Sequence, residues 1–103
     1  MALRQLGDEK IPVADTAIGF TTTEYVTATG TPLNVIMAVC TVETAPLRIN
    51  CYGTPTAAGA EGSALKNPGD IFEVIGYDDI KRFLAIRSGS VSGVLMVQFF
   101  GVP

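Results

Sequence analysis

Hydrophobic positions along the chain fall in short runs separated by turn formers, and the two densest runs stand near its end. Residues 80–87 (Ile-Lys-Arg-Phe-Leu-Ala-Ile-Arg) and 94–100 (Val-Leu-Met-Val-Gln-Phe-Phe) are rich in aliphatic and aromatic side chains, and the Ser/Gly-rich residues 88–93 between them read as a turn. The pattern predicts a β-hairpin. With side chains alternating at period two, Leu84 and Ile86 share one side with Leu95 and Val97, while Phe83, Ala85, Met96, Gln98 and Phe100 take the other. Both sides are largely apolar, so each needs a cover, the first from the second layer of a sandwich. The second cover is expected to be another copy of the chain, which makes Phe83, Ala85, Met96 and Phe100 the expected oligomer interface.

Upstream, residues 1–10 carry no sustained period and are expected to be a flexible or docking arm ahead of a single β-sandwich domain over 11–103. Pro12 between Ile11 and Val13 suits an edge strand, because proline cannot donate to a ladder. The Thr-, Tyr- and Val-rich residues 17–27 favour extended chain. Residues 29–32 read as a turn and 34–42 as a strand buried on both faces or nearly so. After a turn at 43–46, residues 47–52 alternate with Leu47, Ile49 and Cys51 inward. Small residues dominate 53–63, a surface loop. Asn67-Pro68-Gly69-Asp70 is a strong turn signal, residues 71–75 are a strand, and 76–79 enter the final pair through a single helical turn that Asp78 and Asp79 favour. Six to eight short strands without a ten-residue helical period predict an all-β protein, an antiparallel β-sandwich of jelly-roll type.

Composition sharpens the expectation of association. Of 103 residues 48% are hydrophobic and 17% charged, against about 25% charged in an ordinary soluble domain. No apolar run approaches the ~18 residues of a membrane span and the first residues lack a signal-peptide core, so no membrane is expected and burial against protein is the remaining outlet. The net charge is −3 with scattered basic residues, which argues against nucleic acid. Histidine is absent, and with it the commonest general base and metal ligand. No catalytic residue, cofactor or metal site is therefore expected.

Four constellations bear on possible chemistry. Cys40 and Cys51 flank one short turn and would stand opposite each other if Thr44 paired with Leu47; they are either a cross-strand disulfide or two buried thiols, the latter favoured without a secretion signal. Asp70, Glu73, Asp78 and Asp79 are the densest carboxylates, but their spacing matches no calcium loop and they read as turn formers and solvated charges. The glycines of 53–62 lack the Lys-Ser/Thr of a phosphate loop, and the serines of 88–92 have no histidine to complete a triad.

The order of Val13-Ala14-Asp15-Thr16-Ala17, Thr41-Val42-Glu43-Thr44-Ala45, the Gly69-Asp70 turn, Phe83-Leu84-Ala85-Ile86-Arg87 and Val97-Gln98-Phe99-Phe100 resembles small structural proteins of tailed bacteriophages that decorate or cement the capsid. The resemblance implies a β-rich, often jelly-roll or β-tulip fold and a non-enzymatic virion protein made in the host bacterial cytoplasm. It also implies seating on the capsid surface, often as a homotrimer where major capsid protein subunits meet; it carries over no capsid-contact residue. The alternative is a head- or tail-fibre or neck module that binds host-surface carbohydrate, against which the lack of tryptophan counts. A small β-barrel enzyme is opposed by the missing histidine.

Overall fold

The computed structural model describes residues 3–25 and 34–102. Among the described residues seven strands, β1 (Arg4–Val13), β2 (Val35–Glu43), β3 (Leu47–Asn50), β4 (Ala64–Lys66), β5 (Ile71–Ile75), β6 (Leu84–Arg87) and β7 (Gly93–Gly101), form two antiparallel sheets, with a short helix, α1 (Tyr77–Arg82), between β5 and β6. The first sheet runs β1-β7-β2-β5 and the second β4-β3-β6. An antiparallel bridge between Ile18 and Ala85 adds a fourth position beside β6. Counting that bridge, successive segments alternate between the sheets except at β3–β4, which is the path of a jelly roll.

The inner faces are set by the alternation of apolar residues. Leu95, Val97 and Phe99 of β7 and Ala38, Cys40 and Val42 of β2 are buried against Leu47 and Ala85 of the second sheet. Four phenylalanines fill the centre: Phe20 stacks on Phe83 at 4.3 Å between ring centroids, meets Phe99 edge-on at 5.3 Å, and Phe72 lies against Phe83 at 6.1 Å. Helix α1 buries Ile80, with Asp78 and Asp79 in its first turn and Lys81 and Arg82 in its last, each sign matched to its end of the helix dipole.

Several sequence expectations are corrected. Residues 80–100 do not form a hairpin, because β6 and β7 lie in opposite sheets and residues 88–92 cross from one to the other. The crossing is pinned where the Arg87 N–H donates to the Ala14 carbonyl at 3.0 Å and the Ser88 N–H to the Pro46 carbonyl at 3.2 Å. Two apolar alternating strands joined by a Gly/Ser loop satisfy either geometry, since each strand meets the same core from its own sheet. The expected arm at 1–10 is, from Arg4 onward, the greater part of β1, which pairs with β7 from Arg4↔Gly101 to Val13↔Gly93. Its side chains give no apolar period because it is an edge strand held by its backbone ladder. Pro12 sits on that edge as expected. Within 17–25 the extended chain reduces to the Ile18 bridge and a single 3-10 turn, Thr22–Glu24; residues 26–27 and the expected turn at 29–32 lie outside the described residues.

Strand β2 is not buried on both faces: Met37, Val39 and Thr41 are only half-buried. Strand β4 appears within a region too short and polar to announce it. The turns at 43–46 and 67–70 form as expected; in the latter the Asp70 N–H donates to the Asn67 carbonyl at 2.9 Å, the Asn67 N–H to Asp70 Oδ2 at 2.8 Å, and Gly69 takes φ 92°.

Phe83 is central to this core, so Phe83→Ala should lower the unfolding free energy by about 3–5 kcal/mol, the usual cost of emptying a buried aromatic site. Urea denaturation checks it: a loss below about 1 kcal/mol would remove Phe83 from the core, whatever its effect on association.

Candidate functional site

The four residues expected to share an interface separate in the structure. Phe83 and Ala85 are 1% and 0% exposed, within the chain's own core, whereas Met96 and Phe100 lie on the outward face of the first sheet. The error follows from the hairpin: once β6 moves to the other sheet, its inward residues no longer lie beside the outward residues of β7.

That outward face nonetheless sets exposed apolar side chains among polar ones, and nothing among the described residues covers it. Register aligns its side chains in cross-strand rows: Lys10, Met96, Thr41 and Ile71 in one; Asp8, Gln98, Val39 and Glu73 in the next; Phe100, Met37 and Ile75 beyond them. Ile71 and Ile75 are 67% and 65% exposed, and Met96 38%. A groove of about 400 Å3 opens over the middle rows, lined by Asp8, Lys10, Val39, Thr41, Met96 and Gln98 among others. At one end of the sheet β-bulges in β1 and β2 fall on either side of Phe100, leaving Leu6 and Ile36 exposed. Gly101 lies so close to the Asn34 carbonyl that any side chain there would collide with it, which fixes how β2 enters the sheet.

The outward face of the second sheet is different. The loop after β3 folds back on it, Arg48 donating to the Ala57 and Ser63 carbonyls at 3.3 and 3.0 Å and Asn50 Oδ1 accepting from the Tyr52 and Gly53 N–H groups. Tyr52 projects from that loop, 90% exposed.

Other candidate chemistry disperses. Asp70 is committed to its own turn, Glu73 stands on the outer face of β5, and Asp78 and Asp79 begin α1. Among the described residues no three or more His, Cys, Asp or Glu side chains gather in a metal-holding group. Cys40 and Cys51 are both free; Cys40 lies on β2 and Cys51 just past the end of β3, which belongs to the other sheet, so they do not face each other across a hairpin. Burial, with Cys51 nearby, pushes the Cys40 thiol up to about 12; burial and then Asp79 raise Cys51 as well. Neither offers a thiolate near neutral pH. Among the described residues no helix is long and apolar enough to cross a membrane.

A carboxylate group borders β1 and was not anticipated from the sequence. Glu9 turns toward the 21–25 segment, its two oxygens accepting from the Thr21 N–H at 2.9 Å and the Thr21 hydroxyl at 2.6 Å. Glu24 packs over Gly7, whose missing side chain leaves room for its carboxylate. Burial first, then Glu9 and Asp8, raises the Glu24 carboxyl above its usual range.

No family model, no curated protein and no solved structure matches this chain.

Glu24 yields a pH prediction. A carboxyl with a raised folded-state pKa gives its full contribution to stability below its unfolded value and loses it as pH rises through the folded value. Glu24→Gln should thus raise Tm at pH 7, with the gain vanishing below about pH 4, near the ordinary carboxylate range. Melting curves across that window check it; equal gains at both ends would assign the effect to something other than titration.

Proposed function

We propose that the chain is a non-enzymatic structural protein of a tailed-phage virion, a decoration or cement protein that binds the major capsid protein lattice from outside and associates with further copies of itself. It would be made in the host bacterial cytoplasm and reside on the capsid surface. The observation that carries this reading is the outer face of the β1-β7-β2-β5 sheet, where Met96, Ile71 and Ile75 are exposed and nothing among the described residues covers them. Patches of this kind mark association surfaces. The jelly-roll path supports it further, since double-sheet jelly rolls recur in viral capsid domains, although the same fold also serves lectins. Copies joined through that face would hold a lattice by multivalency, so each copy's own contact with the capsid can be weak.

Met96→Asp leaves the core untouched and puts a charge in the middle of the face. Such a variant should fold with unchanged circular dichroism yet fail to join further copies, because a desolvated unpaired charge is strongly disfavoured at an interface, and with that multivalency gone it should lose at least tenfold in co-sedimentation with assembled heads. Tyr52→Ala, on the loop over the other sheet, should sediment with heads as wild type does. Wild-type protein that never sediments with heads, or that loses glycan binding on Tyr52→Ala, would favour the carbohydrate module instead.

A further inference from the structure

We infer that the bare sheet face is closed by a second copy of the chain, the two sheets packing face to face with antiparallel strands about a two-fold axis over the groove; this rests on the reading of that face as an association surface. The argument comes from the rows. An axis lying in the plane between the sheets, perpendicular to the strands, and passing between the Lys10 row and the Asp8 row exchanges those two rows. Lys10 of one copy then stands over Asp8 of the other, and the reciprocal pair forms at the same time, the self-complementarity that an isologous interface requires.

The same operation sets Val94 against Phe100, two half-buried side chains at opposite ends of β7, and it sets Glu73 of the edge strand β5 against Ile71 and Glu43, the last residue of β2, against Met37, two carboxylates at the margin of the contact. The groove lies on the axis, and the Met96 side chains of both copies enter it. An axis along the strands fails the charge test, because it would set Asp8 over Glu73. The area is sufficient: at ~4.8 Å between strands and ~3.3 Å per residue the four strands present about 500 Å2 each way, about 1,000 Å2 for a pair, the lower bound of a specific interface. Two copies, rather than the three that the resemblance implies, match this charge pattern.

The test uses full-length chains and solution mass, without heads. Wild type should run as a dimer by light scattering at micromolar concentration. Lys10→Glu carries two negative charges at the paired positions and Asp8→Lys two positive ones, so each variant alone should dimerise at least tenfold more weakly. Mixed in equal amounts, the two should recover a dimer containing one chain of each, because every facing pair is again opposite in sign. Both sites are exposed, and circular dichroism verifies that each variant folds. A monomeric or trimeric wild type, single variants that dimerise as wild type does, or a mixture that stays monomeric would each overturn the two-fold pairing. Loss of head binding by a protein that still dimerises would count against decoration and leave the pairing standing.

Discussion

The fold depends on the Phe20–Phe83 stack. Phe83 stands at the junction of α1 and β6, Phe20 enters from the segment that bridges to β6, and Phe99 rises from β7 in the opposite sheet to meet Phe20 edge-on. Three separate stretches of chain are thereby fixed to one distance, and the spacing between the sheets follows from ring dimensions more than from any hydrogen-bonded ladder between them. The stack also explains the irregularity of residues 17–25. A regular strand there would alternate its side chains evenly, whereas placing Phe20 flat against Phe83 needs the close approach of Gly19 to the Phe83 carbonyl, which a Cβ would block at 2.7 Å. The jelly roll's second strand is accordingly reduced to one bridge at Ile18.

With the sandwich closed on its own core, the two outer faces diverge in fate. The loop of 51–63 satisfies its polar groups on Arg48 and Asn50 and so screens part of the second sheet. The first sheet is longer and receives no such loop from the described residues, and Met37, Val39 and Thr41 on its outer face are half-buried. The apolar side chains left exposed are thus divided: Ile71, Ile75 and Met96 share that face, while Ile18, Leu65 and Val91 stand singly elsewhere.

The strands of highest contrast were legible in the sequence. Strands β2, β3 and β5 and the turns at 43–46 and 67–70 declared themselves through apolar runs and turn residues, and the all-β sandwich followed from their spacing. What period two does not contain is which sheet a strand joins. Residues 84–87 and 93–101 have the same pattern whether they pair with each other or oppose each other across a core, so the candidate face drawn from them mixed Phe83 and Ala85, which are internal, with Met96 and Phe100, which are not. Strand β1 escaped for the complementary reason: an edge strand holds by backbone pairing, and Arg4 to Lys10 needed no apolar side chains to take their place beside β7. The Glu9–Thr21 and Glu24–Gly7 contacts link residues 12 and 17 positions apart through tertiary packing, and no local signal announces them.

A sheet with a bare apolar face and two open edges also risks uncontrolled stacking, and the distribution of polar residues bears on which contact wins. On the β1 edge, Pro12 removes a donor, Lys10 and Asp8 add charge, and the bulge at Leu6 bends the strand, all of which discourage an added strand. On the β5 edge the strand is only five residues long and Glu73 divides Ile71 from Ile75. The centre of the face has no such guard: between those edges run Met96, Val39 and Met37, interrupted by neutral Gln98 and Thr41. Charge at the margins and apolar surface in the middle is the arrangement of an interface with a core and a rim. It disfavours edge-to-edge growth, which has no natural end, and favours face-to-face contact, which one partner completes.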